Sequence, residues 1–190
     1  MEPVTLTTER LLIDSFVPGD VEAVYASCQD PEIQRWTTIP SPYERQHAEW
    51  FVNEMVPESW DSGTGYHLAV RLRESGPVIG AIGLHHPREG GWEIGFWIDG
   101  AHRGRGYMTE AVHRLAHWAF TELGCTRLEW RAQTGNTASR TVAEKTGFTV
   151  EGVLRAGMLS NGTVRDCWVG ALLPSDLGLP TPLPYLATRD

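Results

Sequence analysis

Short apolar runs alternate with segments whose apolar positions recur at helical spacing. Arg10-Leu11-Leu12-Ile13-Asp14-Ser15-Phe16 reads as a first strand, broken by Pro18-Gly19. Asp20 is placed to cap a helix with Val21, Val24 and Tyr25 on one side. Asp30-Pro31-Glu32 starts a second helix, with Asp as cap and Pro at the first position, and this helix carries Ile33 and Trp36. Ser41-Pro42-Tyr43-Glu44 predicts a capping box with a proline start. The helix behind it puts Ala48, Phe51, Val52 and Met55 on one stripe, and Pro57 with Asp61-Ser62-Gly63 is expected to end it.

Three strand-like runs follow at Tyr66 to Arg71, Val78 to Leu84 and Trp92 to Ile98, parted by Ser75-Gly76-Pro77 and by Pro87 to Gly91. Such spacing predicts an antiparallel meander. A long helix comes next, with Met108, Ala111, Val112, Leu115, Ala119 and Leu123 as its buried stripe and Gly124 as its stop. Arg127 to Ala132 alternates as a strand with one face buried. A helix runs from Asn136 through Lys145, with Gly147 as its C-terminal cap. Phe148 to Leu154 and Val164 to Leu173 are strands, and Asn161-Gly162 is a hairpin turn. The order is β-α-α-α-β-β-β-α-β-α-β-β: one α/β (α+β) domain over residues 1–173, a mixed sheet of about seven strands with helices on both faces. The tail over 174–190 carries Pro180, Pro182 and Pro184 and is expected to be mobile or strapped to the surface.

Composition narrows the function classes. The 190 residues are 41% hydrophobic and 21% charged, enough for a full core. Eight Trp point to wide apolar contacts. A net charge of −8 argues against nucleic acid as a partner, which calls for clustered Lys and Arg. It favours a cationic substrate weakly and is accounted for equally by solubility. Cys28, Cys125 and Cys167 fall in no paired spacing, which suggests reduced thiols in the cytoplasm. The first residues show no leader pattern and no apolar run approaches a membrane span, so no membrane association is expected.

The chemistry-bearing stretch is Gly100-Ala101-His102-Arg103-Gly104-Arg105-Gly106-Tyr107-Met108-Thr109-Glu110-Ala111, between a strand and a helix. A helix start presents unpaired N–H groups and a partial positive charge, and glycines let an anion approach the backbone. The stretch therefore reads as a phosphate cradle, or as a plain glycine-rich turn. A Walker-type loop would need G-x-x-x-x-G-K-[ST], which is missing. A dinucleotide fingerprint would need a third glycine at position 109, where Thr109 stands.

Arg103-x-x-Gly106 before a helix, about thirty residues ahead of Asn136-Thr137-Ala138-Ser139, resembles the GNAT superfamily of acyl-CoA-dependent N-acyltransferases, and within it the RimJ/RimL type. Thr8 to Ile13, Glu93 to Ile98, and Glu144 to Phe148 support the likeness, which covers residues ~8 to 173. It implies a twisted, mostly antiparallel sheet, acetyl-CoA as co-substrate, and an amine acceptor. It also implies that amides from Arg103, Gly104, Arg105, Gly106, Tyr107, Met108 and Thr109 hold the CoA pyrophosphate, with charge added by Arg103 and Arg105. The likeness further implies that Asn136, Ser139 and Lys145 face the cofactor from the next helix. The pantetheine arm is expected along Phe96, Trp97 and Ile98, whose amides would polarise the thioester carbonyl. Met108 departs from the small residue that ends the family's loop, and is expected to reshape the wall near the pyrophosphate.

An amine nucleophile is mostly protonated at neutral pH, so a base is needed. Glu93 is the candidate, because flanking apolar residues would bury its carboxyl and raise its pKa. It also reads as a solvent-facing strand residue. His85 and His86 are runners-up, and water is a further choice. Ser139 is the candidate acid for the departing thiolate, beside Asn136; both also read as helix caps. Trp36 is assigned to the acceptor site with His85. His113 and His117 lack a third ligand, so no metal is expected. The cysteines sit away from these motifs, which implies direct attack without an acyl-cysteine. Alternatives are a non-catalytic acyl-CoA-binding module and a transferase using another donor such as succinyl-CoA. A homodimer is compatible with the sequence. The motifs leave protein N-termini, amino acids, polyamines and amine-bearing antibiotics open as acceptors.

Overall fold

The computed structural model describes residues 3–73, 76–181 and 183–186, without the side chains of 86–88. Ser75 of the expected turn, Pro182 of the tail and the side chains of His86 and Pro87 thus lie outside the description. The strands are β1 (Leu6–Thr7), β2 (Leu11–Asp14), β3 (Gly65–Leu72), β4 (Gly80–Arg88), β5 (Gly91–Ile98), β6 (Arg127–Gln133), β7 (Thr149–Ser160) and β8 (Thr163–Leu172). The helices are α1 (Val21–Ser27), α2 (Pro31–Trp36), α3 (Arg45–Trp50), α4 (Val56–Ser62), α5 (Tyr107–Thr121) and α6 (Thr137–Lys145). They form one sheet in the order β1-β2-β3-β4-β5-β6-β8-β7, eight strands rather than about seven. The additional strand, β1, has two residues, too short for any periodicity to show.

All neighbours pair antiparallel except β5 and β6. Those two run parallel from Gly91/Arg127 to Ile94/Trp130, and the ladder stops there. Beyond that point β5 keeps β4 through Gly80/Ile98, and β6 keeps β8 through Gln133/Cys167. The sheet therefore opens between Gly95–Ile98 on one side and residues 131–133 on the other.

Both faces are covered. α5 buries Met108, Ala111, Val112, Leu115 and Ala119, the expected stripe, against the face that carries Leu68, Ile82, Leu84 and Ile94. Each such large side chain contributes roughly 1.5–3 kcal/mol of burial. The opposite face carries His67 and receives Phe51, whose ring meets it edge-on with centroids 6.1 Å apart. Strand β6 is not half-exposed as alternation suggested, because Glu129 is buried as well as Leu128 and Trp130.

Three helix boundaries differ from the sequence reading. Asp20 does not cap α1 through its side chain; it accepts from the Val17 N–H and from Arg71. Ser41 builds no capping box, since its hydroxyl donates to Gln34 Oε1 and α3 starts only after Glu44, which pairs with His47. Pro57 does not end the helix. A π turn at Phe51–Met55 links α3 to α4 and places Pro57 in the first turn of α4, where its missing N–H costs little. The chain stops at Gly63, in the left-handed region at φ 68°.

The tail begins as a strap. Pro174 is buried in a short turn at Pro174–Leu177, and Leu177 and Leu179 pack on the core. Among the described residues, no helix is long and apolar enough to cross a membrane.

Candidate active site

Two cavities flank the opening between β5 and β6. The first, about 500 Å³, has its floor on the His67 face of the sheet and is roofed by α2 and by the segment from Thr37 through Met55. The second, about 370 Å³, lies under the glycine-arginine loop, α5 and α6. Trp36, Thr37, Phe96, Trp97, Asn136 and Ser139 line both, so the two spaces meet at the split.

The second cavity follows from local chain geometry. Gly104 and Gly106 adopt φ +73° and +78°, a region glycine enters without strain. Gly106 is the N-cap of α5, and the first intrahelical bond runs from Glu110 N to Gly106 O. The N–H groups of Tyr107, Met108 and Thr109 thus start the helix without intrahelical partners, and all three residues line the space. Lys145, in the last turn of α6, faces it from the other wall. These donors and this charge suit a pyrophosphate.

The two loop arginines act differently from the expectation of charge added beside phosphates. Arg103 lines the cavity, but its guanidinium donates to Asp30 Oδ2 at 2.7 Å and to the Ile98 carbonyl at 3.3 Å. It braces the loop against α2 and β5. Arg105 is not among the lining residues; its carbonyl accepts from Arg10 Nη1 at 3.0 Å. Met108 is 4% exposed, and its methyl end packs on Gly80, so its bulk turns into the core and leaves its amide at the cradle.

Arg10 is a clamp that the sequence did not disclose as one. Its Nε donates to Glu110 Oε2 at 2.7 Å and its guanidinium stacks over Tyr107 at 4.8 Å. Thr8 and the Arg10 amide also donate to Glu110. The first strands thereby tie the loop to α5. The signal was the Thr8-Glu9-Arg10 stretch, which carried no assignable role without its spatial partner.

The first cavity has a polar floor assembled from three strands. Register sets His67 beside Gly83 and Gly95, and His85 beside Glu93. The imidazoles of His67 and His85 stack at 6.3 Å with planes 8° apart. Glycines leave room for these rings: a Cβ on Gly65 or Gly83 would lie 2.9 or 2.8 Å from the His67 ring, and one on Gly95 would lie 2.6 Å from His85 Cε1. Burial and the neighbouring His85 push His67 down to about 4, so it is neutral at physiological pH.

Glu93 is largely buried, as its apolar flanks suggested, but its nearest partners are charged or titratable. Its side chain is 16% exposed, with His85 Nε2 at 3.5 Å and Arg131 Nε at 3.7 Å. Arg131 in turn pairs with Glu129 at 2.6 Å. The apolar flanks in sequence point to the other face, and the charged neighbours come from β4 and β6.

At the junction, Asn136 Oδ1 accepts from the Ser139 N–H at 3.1 Å, the capping role. Ser139 Oγ accepts from Trp130 Nε1 at 3.0 Å. Once that bond is made, the serine's own O–H is directed elsewhere while its oxygen is held at the split. Trp36 separates the cavities, with its Nε1 donating to Glu32 Oε2 at 2.8 Å and Arg35 stacked over it.

The three cysteines are buried, and burial raises their pKa values, Cys28 to about 12 and Cys125 to about 11. Such thiols are poor nucleophiles. Among the described residues, no group of His, Cys, Asp or Glu is arranged to hold a metal ion.

The sequence matches the acetyltransferase (GNAT) domain family over residues 10–149. It is 29% identical over 166 residues to YoaA of Bacillus subtilis (strain 168), described as an uncharacterized N-acetyltransferase, covering 85% of this chain and 92% of that one. It is 28% identical over 104 residues to the ribosomal-protein-serine acetyltransferase of Escherichia coli (strain K12), covering 54% and 58%. The fold superimposes on a GNAT-family acetyltransferase from Bacillus anthracis with a TM-score of 0.81 at 25% identity, covering 90% and 99%. It matches the RimL ribosomal L7/L12 alpha-N-protein acetyltransferase, solved with coenzyme A, with a TM-score of 0.77 at 20% identity, covering 90% and 98%. The chain belongs to the GNAT acetyltransferase family and is an acyl-CoA-dependent N-acyltransferase.

Proposed function

We propose that this protein transfers an acetyl group from acetyl-CoA to a primary amine by direct attack. The observation that carries the reading is the meeting of two chemically different cavities at one opening in the sheet. Acetyl-CoA sits with its pyrophosphate on the amides of Gly104 to Thr109, near Lys145. Its pantetheine arm follows Phe96 to Ile98, where β5 has left β6 and its edge is open to a hydrogen-bonding partner. The thioester then reaches the split.

The amine enters from the His67 side. Its proton passes to Glu93, with His85 beside it as the relay or the alternative acceptor. The nitrogen lone pair forms the C–N bond at the thioester carbonyl, whose developing oxyanion takes hydrogen bonds from amides near Trp97 and Ile98. The C–S bond breaks, the thiolate receives a proton from Ser139, whose oxygen is held by Trp130, and the serine is reprotonated through water by the second proton that the nitrogen sheds as it becomes the amide. The buried cysteines take no part.

The test is thiol release from acetyl-CoA by the intact protein with and without amines, with the acetylated product identified by mass. Acceptor-dependent release with product formation is expected. Release that no amine accelerates overturns the transferase reading in favour of an acyl-CoA-binding role.

A further inference from the structure

The walls of the acceptor cavity carry information about what enters it. Trp36, Ile39, Tyr43, Trp50, Phe51 and Met55 form an apolar, largely aromatic enclosure above the floor. Trp50 is 53% exposed and stands at the rim of this enclosure. The volume, about 500 Å³, falls in the range that encloses a whole small molecule.

Several polar groups in the same walls are already engaged. Trp36 Nε1 donates to Glu32, Thr37 Oγ1 to the Ile33 carbonyl, and Trp130 Nε1 to Ser139. His47 Nδ1 accepts from the Glu44 N–H. The guanidinium of Arg131 is paired with Glu129 and close to Glu93. His67 is neutral at physiological pH, so it supplies no charge. A substrate carboxylate buried here would meet Glu93 and an Arg131 guanidinium that Glu129 already holds, and so would lose its hydration with little return. An ammonium would meet the opposite: a carboxylate floor below and aromatic faces around it.

We infer that the acceptor is an amine borne on a compact apolar or aromatic body with no carboxylate beside the nitrogen, an arylalkylamine in chemical class. This rests on the transferase reading above. The amine points at Glu93 and His85, and the ring packs among Trp36, Trp50 and Phe51. A polyamine would bury its second ammonium out of reach of Glu93, desolvated with no carboxylate to pair it, and a free amino acid would place its carboxylate over the floor.

The experiment compares kcat/KM with acetyl-CoA for tryptamine and phenethylamine against tryptophan, phenylalanine, spermidine and a hexapeptide with a free N-terminus. The two arylalkylamines are expected to exceed their matched amino acids, spermidine and the peptide by about tenfold or more, the scale of contacts in a hydrophobic pocket. Trp50→Ala, a rim change that leaves the core intact, is expected to raise KM for tryptamine about tenfold while KM for acetyl-CoA stays put. Equal or better turnover of the amino acids, spermidine or the peptide overturns this inference and leaves the transferase reading standing. An unchanged KM for tryptamine in Trp50→Ala also counts against it. Thiol release unaffected by every amine in the panel overturns the transferase reading itself.

Discussion

The two cavities are built from different materials. The cavity under the glycine-arginine loop, the donor side in the proposed reaction, is made largely of backbone: two glycines in the left-handed region, the free amides of one helix start, and the open edge of one strand. These all lie within residues 95–109. The acceptor side is made of side chains from β3, β4, β5, β6, α2, α3 and the π turn, brought together by strand register. A backbone cradle tolerates changes of side chain, as Met108 demonstrates by turning its bulk inward against Gly80. A side-chain floor has no such slack. One methyl group at Gly95 would fall 2.6 Å from the His85 ring.

That contrast sets the expected size of each substitution. The largest belongs to the acceptor floor. Glu93→Gln should lower kcat by about 10²–10³-fold, the range of general-base catalysis, with KM for acetyl-CoA little changed. Steady-state kinetics at saturating donor measures it, and a loss below tenfold would move the base to His85 or to water.

Next comes the donor clamp. Arg10→Ala removes the bonds to Glu110 and to the Arg105 carbonyl, freeing the loop without touching the floor. KM for acetyl-CoA should rise about tenfold with kcat near its original value, as expected for loss of about 1–2 kcal/mol of loop-ordering contacts. A fall in kcat at unchanged KM would show the two sides to be coupled rather than separate.

The junction should respond less. Ser139→Ala should lower kcat by tenfold or less, because a thiol with pKa near ~8.5 leaves passably as the anion. Abolished turnover would mean that Ser139 does more than protonate the leaving group.

The last effect falls on stability rather than on turnover. The His67 imidazole is held near 4 in the folded chain against 6.5 in the unfolded one. As pH falls below 6.5 the unfolded state takes up a proton that the folded state refuses until about 4, so stability drops through that window and is unaffected above it. The loss is at most about 3 kcal/mol. His67→Gln should flatten this part of the acid limb in urea unfolding measured from pH 7 to 4.

The sequence carried the order of elements and the donor loop because both are written in neighbouring residues. Periodicity found the α5 stripe, while cap and turn residues found the Asp30 cap with Pro31 behind it and the hairpin at Asn161-Gly162. Glycine spacing before a helix pointed to the loop whose free amides line the second cavity, and family likeness named the co-substrate class. The π turn that carries the helix past Pro57 was not legible, since proline is read locally as a stop. The two-residue strand β1 was too short to show a period.

What only the tertiary structure decided is every relation between distant residues. It turned Glu93 from a lone carboxyl into a member of a chain with His85, Arg131 and Glu129. It gave Arg10 its role through Glu110, which lies 100 residues away. It seated His67 and His85 on glycines of neighbouring strands and set Trp130 beside Ser139. Local sequence fixes backbone conformation, because φ, ψ and capping depend on near neighbours. It does not fix which side chains share a face across a sheet, because register is settled only when all the strands pack together.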